Sequence, residues 1–394
     1  MRYPLIDSDA ELVVDGGHEV RTLKPRVDWR IALTITAVLR VVYSGIAAMA
    51  AVFVHPDARL IHSNALTENL PAPHGLHYAL LGVWQRFDTL WYLHIAERGY
   101  DLPAAVVFYP LYPWLIRGLS GLAGPIAAAL LISTVAAFFY FWGLLRLARS
   151  EFPGAQPLRT VMLAAAWPAS FFFFAGYTDA LAVALIVWSV AWARDERWLL
   201  AAACAFAAGL TRSAGTLAIV PLVILAWRAR RWERWPVALA PLGTLGYWLW
   251  LRQTGRLSIA AAYRMYWNTE VAAPWTTLWR AMRSLAARFD PLLAISLLAL
   301  IFFFVAGVTA RRRIRIRIED RCFSAAVIAH LLLRACWPPL LGAPRYLLPV
   351  YPAFLSMGKW ADRLESKRFA FLCAALFAFN LAWMWAFLKW SLVL

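Results

Sequence analysis

Charge and cysteine are both scarce in this sequence. Only 15% of its 394 residues are charged, against about 25% in soluble domains, and cysteine occurs four times. Cys204, Cys322, Cys336 and Cys373 stand alone in apolar stretches, without a C-x-x-C pair or a histidine at ligand spacing. That pattern suggests neither a disulfide framework nor a structural zinc site, and fits small buried hydrophobes. No G-x-x-x-x-G-K-[ST], G-x-G-x-x-G or H-E-x-x-H occurs, so nucleotide binding and zinc hydrolysis lack a motif. The only D-x-D is Asp7-Ser8-Asp9, near the N-terminus and far from every other candidate. A divalent metal on a close acid pair therefore finds no support, and no cofactor is expected.

Apolar and aromatic residues are abundant instead: 62% are hydrophobic, with 22 Trp and 23 Phe. Lipid or other buried helices must solvate that excess. The net charge of +17 comes from 39 Lys and Arg against 22 Asp and Glu. Most of the arginines sit in short clusters between apolar runs, where the positive-inside rule places them, so nucleic acid is not an expected partner. The partner composition points to is membrane lipid; the sequence names no protein partner.

A crossing helix needs about 20 apolar residues. Eleven spans are expected near 30–54, 125–146, 159–176, 179–193, 198–212, 214–228, 236–252, 290–310, 321–341, 344–360 and 368–390. The chain is thus predicted to be all-α and polytopic, one transmembrane domain over 30–394 behind a cytoplasmic tail at 1–29. That tail shows no signal-peptide cleavage pattern. The basic clusters around Arg146, Arg194, Arg228–Arg234, Arg311–Arg317 and Lys359–Arg368 are separated by even numbers of spans, and all are assigned to the cytoplasm. The run near 104–122 would break this parity if it crossed. Its Pro110 and Pro113 deprive a helix of donors, so it is expected to be re-entrant or interfacial and to line a cavity. The loop at 55–103 then faces outward.

Five outward-facing pieces carry the polar and aromatic residues. In the stretch from Trp84 to Asp101, helical spacing puts Asp88 and Tyr92 on one face, and His94 and Arg98 on another. Asp88 there can take a proton from a sugar hydroxyl, or the stretch can be an interfacial anchor whose acids only cap or pair. Asp179, after Tyr177-Thr178, reads as a site acid or as an N-cap. Arg212 and Arg345, outer-side arginines without basic neighbours, read as anion ligands or as side chains snorkelling to headgroups. Tyr263 and Trp267 suit stacking on a sugar or lining a lipid groove. The Arg311–Arg317 run reads as a topology anchor on anionic lipid.

These residues resemble the PIG-V mannosyltransferases. The resemblance rests on Trp84-x-Arg86-Phe87-Asp88 leading into Ile95-Ala96-Glu97-x-Gly99-Tyr100, and on Phe108-Tyr109-Pro110-Leu111-Tyr112-Pro113. Pro168 through Tyr177-Thr178-Asp179, Thr211-Arg212-x-x-Gly215 and Pro344-Arg345-Tyr346 follow in the same order, from about Arg30 to Trp360 overall. Asp179 stands where many relatives have Glu, and Phe108-Tyr109-Pro110 where they have Phe-Phe-Pro.

The resemblance implies a GT-C fold with the catalytic acid in the first extracytoplasmic loop, which falls on Asp88. It implies inverting, metal-independent transfer from a polyprenyl-phosphate-mannose donor to a lipid or glycan acceptor, in a bacterial plasma membrane. Arg345 or Arg212 would hold the donor phosphate. Arg86, Tyr92, His94, Glu97, Tyr177, Asp179, Tyr263 and Trp267 would surround the acceptor or sugar. Phe108, Pro110, Tyr112, Pro113 and Tyr346 would form the lipid groove. The rival reading is a transporter or flippase for a lipid-linked glycan. Against it stand the absence of paired broken helices in two halves and the few ionisable residues within the spans. A scaffolding membrane protein is a third reading, disfavoured by the acids and aromatics of the outer loop.

Overall fold

Apolar runs fold as helices here until a proline or a glycine stops them. The computed structural model describes residues 10–15, 18–23, 28–54, 61, 65–68, 70–229, 232–309, 314 and 316–391. In chain order its helices begin with α1 (Asp28–Phe53), α2 (Gly75–Leu80), α3 (Asp88–Arg98), α4 (Leu111–Ala123), α5 (Pro125–Glu151) and α6 (Pro157–Ala166). Then come α7 (Asp179–Arg194), α8 (Trp198–Gly209), α9 (Ile219–Ala229), α10 (Leu242–Gln253), α11 (Ile259–Tyr266) and α12 (Pro274–Ala287). The last are α13 (Pro291–Gly307), α14 (Ile318–Leu332), α15 (Ala343–Tyr346), α16 (Tyr351–Ala361) and α17 (Ser366–Leu388).

The architecture is all-α apart from two short antiparallel strand pairs. One joins β1 (Ala10–Asp15) to β2 (His18–Leu23), within the expected N-terminal tail. The other joins β3 (Thr269–Val271) to β4 (Arg334–Cys336).

This is an integral membrane protein, yet among the described residues only α1, α5 and α17 are long and apolar enough to cross a bilayer unbroken. The other expected spans are shorter or broken, for local reasons. Proline disfavours the helical conformation in the residue before it. Accordingly α6 ends at Ala166, before Trp167-Pro168, and the expected span at 159–176 continues as a 3-10 turn over Ser170–Phe173. Pro236 lies in a 3-10 segment, so the helix expected over 236–252 begins only at Leu242. The span expected over 321–341 stops at Leu332 and passes into β4. The span at 344–360 divides into α15 and α16.

α5 is the central element, packed against α1, α4 and α7, while α1 and α17 leave much of their apolar surface outward. Val41, Val52, Phe53, Leu298, Ile301 and Phe371 are exposed, a band suited to lipid.

The run near 104–122 does not traverse. Gly124, at φ +81°, reverses the chain between α4 and α5, which then lie antiparallel. The Tyr112 hydroxyl donates to the Ala129 carbonyl at 2.9 Å and meets Ser133 Oγ at 2.8 Å, which levels the start of α4 with the second turn of α5. The chain therefore enters to that depth and returns along α4, the re-entrant course expected from its prolines.

The basic clusters gather at one end of the helices, where buried acids meet them. Arg194 reaches Asp320 at 2.5 Å and Glu151 at 3.3 Å, Arg317 reaches Glu151 at 3.0 Å, and Arg149 reaches Asp28 at 2.6 Å. Part of the positive charge is therefore a lock between α1, α5, α7 and α14. Arg311, Arg312, Arg313 and Arg315 lie outside the described residues. Asp179 and Arg194 terminate opposite ends of α7, about 22 Å apart at 1.5 Å per residue, so Asp179 lies far from this lock.

Candidate active site

The strained residue Phe87 introduces Asp88. Its φ of +47° is costly for a side chain with a Cβ. Packing holds it: the Phe87 ring lies 5.5 Å from Phe387 and 5.0 Å from Trp390. Arg86 completes the clamp, donating to the Leu388 carbonyl at 3.1 Å and the Tyr78 hydroxyl at 2.9 Å, over the Trp390 ring. Asp88, first residue of α3, is thereby turned the other way. Thr89, Leu90, Tyr92, Leu93, Ile95 and Ala96 are buried, so α3 is a packed element and not an anchor lying in lipid.

Four charges from four motifs meet there. Arg345 Nη1 lies 2.9 Å from Asp88 Oδ2, and its Nε lies 3.0 Å from Asp179 Oδ2. Arg212 Nη1 pairs with Asp179 Oδ1. Asp179 is fully buried and Arg345 is 2% exposed, while Asp88 keeps 23% of its side chain accessible. Asp179 does not cap α7: the cap position is Thr178, with no side-chain cap bond, and the Asp179 carboxylate is spent on the two arginines. Neither arginine snorkels. Among the described residues nothing donates to Asp88 Oδ1, so one oxygen of the accessible acid is held and the other is open.

Neutral groups fix the same turn. The Asp88 backbone N–H donates to the Tyr177 hydroxyl at 3.3 Å, and the Tyr92 hydroxyl meets Thr178 Oγ1 at 3.2 Å. The predicted shared face of Asp88 and Tyr92 is thus used. Arg345 stacks on Tyr177 at 4.3 Å and on Phe172 at 5.0 Å. Phe108 packs on Tyr92 and Trp91, and Trp267 closes the wall at 5.8 Å from Phe108 and 6.0 Å from Tyr263.

Three of the expected acceptor residues are not gathered around Asp88. Arg86 is committed to the clamp. Glu97 is nine residues along α3, about 180° around at 100° per residue, and is exposed. His94 turns to Asp101, with Nε2 to Oδ1 at 2.6 Å. Burial alone would raise the Asp101 carboxyl, but the hydrogen bond and charge of His94 outweigh it and hold it below its ordinary value.

The residues expected to line a lipid groove stand apart from two apolar grooves of the structure. Phe108 and Tyr112 are buried inward and Pro110 precedes α4, while Tyr346 lies among guanidiniums; none of these, nor Pro113, lines the large apolar grooves. The larger groove, about 860 Å³, runs between α6, α13, α16 and α17 past Trp167, Phe302, Met357 and Trp383, and reaches Pro344 beside Arg345. The second, about 630 Å³, uses Leu115 and Leu119 of the re-entrant α4 with residues of α5 and α7.

Two arginines were missed although each interrupts an apolar run, which is the usual mark of function or of buried pairing. Arg40, midway along α1, donates to the Phe174 carbonyl at 2.7 Å and to Thr134 Oγ1 at 2.6 Å, bracing the chain just before Tyr177. Arg334, on β4, stacks on Tyr346 at 4.1 Å.

Close backbone approach explains one motif glycine. A Cβ on Gly215 would fall 1.9 Å from the Ala208 carbonyl oxygen, so only glycine lets the turn carrying Arg212 lie on α8. Gly215→Ala is expected to cost about 1–3 kcal/mol through overpacking. Thermal unfolding in detergent reads this, with Gly118→Ala as control, since nothing lies within 4 Å there.

No family model matches the chain, and no curated protein matches it. Its structure is similar to that of ArnT from Cupriavidus metallidurans, crystallised with undecaprenyl phosphate, at 15% identity and a TM-score of 0.45. The match covers 84% of this chain and 61% of the ArnT chain, so the sequence spans about three fifths of that protein's length.

Proposed function

We propose that the chain is an inverting glycosyltransferase, moving a sugar from polyprenyl phosphate to a lipid or glycan acceptor on the extracytoplasmic face. The observation that carries this reading is Asp88: an accessible carboxylate, one oxygen anchored by a buried arginine and the other open, between aromatic walls. An acceptor hydroxyl gives its proton to Asp88 Oδ1 as its oxygen attacks the anomeric carbon. The bond from that carbon to the phosphate oxygen breaks, its electron pair leaves with the phosphate, and the configuration inverts. Tyr177 and Asp179 position the reacting acid through Arg345, and Trp267 and Tyr263 offer faces for a sugar.

The guanidinium of Arg345 occupies the place between two carboxylates where a divalent ion would bridge them, which supports transfer without a metal. The groove that begins beside Pro344 and runs between helices over apolar side chains suits a prenyl chain. Mannose is the sugar in this reading on the strength of the PIG-V resemblance, as is the plasma membrane of a bacterium.

The test gives purified protein a radiolabelled polyprenyl-phosphate-mannose and an extract of membrane lipids and glycans, with glucose and arabinose donors beside it. Label in a new product supports the transferase, and the best donor names the sugar. Donor bound but never consumed in any acceptor pool replaces this reading with carriage of the lipid across the membrane.

A further inference from the structure

Three guanidiniums surround one ring at the site. Tyr346 lies 4.1 Å from Arg334, 5.3 Å from Arg212 and 5.5 Å from Arg345. Two of the three already have carboxylates: Arg212 pairs with Asp179, and Arg345 with both Asp179 and Asp88. Among the described residues no acid pairs with Arg334. Its ring contacts are Tyr346 and Tyr263, and its Nε is buried without a hydrogen-bond partner.

The strand pairing accounts for this isolation. Arg334 stands opposite Val271, and the adjacent acid on β3, Glu270, is turned to Arg280 at 2.8 Å. His330, one turn earlier, meets Ser213 Oγ at 3.0 Å. Arg334 shares the Tyr346 ring with Arg345, and Arg345 holds Asp88 at 2.9 Å, which puts Arg334 at the same site as the open acid. Two carboxylates against three guanidiniums leave one positive charge over. A half-buried cation whose Nε is buried without a counter-ion is costly, and ring stacking offsets only part of that cost. An anionic ligand supplies the missing charge.

We propose that Arg334 holds the phosphate of the lipid-linked donor, while Arg345 and Arg212, already neutralised, position the two carboxylates. The inference rests on the reading of the chain as a transferase that uses a lipid phosphate. When the bond to the sugar breaks, the phosphate gains a negative charge, and a guanidinium facing it stabilises that change. A planar fork suits phosphate oxygens better than an ammonium does.

Equilibrium binding of three ligands tests this: a polyprenyl monophosphate, the polyprenol of the same chain length, and inorganic phosphate. Wild type should prefer the monophosphate to the alcohol by about 10- to 100-fold, the range of a hydrogen-bonded charge. Arg334→Gln should erase that preference with the alcohol's affinity unchanged, and Arg334→Lys should keep part of it. Cys336→Asp provides a second route by placing a carboxylate beside an intact Arg334, and should erase the preference likewise; it carries the test where Arg334→Gln fails to fold. A preference that survives both Arg334→Gln and Cys336→Asp overturns the assignment of Arg334. Inorganic phosphate binding as tightly as the lipid overturns the lipid source. A wild type that does not distinguish monophosphate from alcohol overturns the lipid-phosphate reading itself.

Discussion

Arg345→Ala destabilises the folded protein by about 3–5 kcal/mol, the cost of stranding a buried carboxylate. Asp179 is fully buried and shares its two oxygens between Arg345 and Arg212. Removing Arg345 strips one oxygen of its partner and also releases Asp88 from its anchor. Arg345→Lys restores the charge without the fork that reaches two carboxylates, so it recovers only part of the loss. Arg212→Ala costs less, because Arg212 is 12% exposed and Asp179 keeps Arg345. Removing both members, in Arg345→Ala/Asp179→Ala, costs less than the sum of the two single changes. Unfolding in detergent, followed by tryptophan fluorescence, measures all five, Asp179→Ala included. A loss below about 1 kcal/mol for Arg345→Ala would mean that the pair is solvated as surface pairs are.

Asp88→Asn has the largest expected effect on turnover. The carboxamide keeps the size of the side chain and an oxygen for Arg345, but cannot take the acceptor's proton. The catalytic constant should fall by about 10²–10⁴-fold, the usual contribution of a positioned base. Donor KM should change little, because Asp88 acts on the acceptor side of the bond. Stability should move by about 1 kcal/mol or less, since the Asp88–Arg345 pair reaches solvent at the acid. Near-wild-type turnover in Asp88→Asn would end the base assignment.

Much of the site was legible because its parts are short local motifs. Asp88, Tyr177, Asp179, Arg212, Arg345 and Tyr346, drawn from separate motifs, converge in one cluster. The re-entrant course of 104–122 followed from two prolines and the parity of the basic clusters.

What stayed hidden depends on contacts between distant segments. The pairing of Arg345 with Asp88, 257 residues away, cannot be read from spacing, and together with the bonds of Arg345 and Arg212 to Asp179 it turns both arginines from free anion ligands into bound partners. Arg334 was hidden inside an apolar run that stops being a helix at Leu332 and becomes a strand beside β3. His94 and Glu97 belong to the same motif as Asp88, but the turn of the helix carries them to other faces, His94 to Asp101 and Glu97 to an exposed position. Phe108 and Tyr112 of the proline-aromatic motif are buried inward, while the apolar groove between α6, α13, α16 and α17 is built by residues of those helices that carry no motif.

The most direct test of the account follows the phosphate. Purified wild-type protein is mixed with a sugar-linked polyprenyl phosphate and an acceptor pool, and the lipids are resolved by mass spectrometry. Free polyprenyl phosphate appearing in step with glycosylated acceptor is the predicted result. Donor recovered intact, whether bound to the protein or moved across a vesicle membrane, would contradict it.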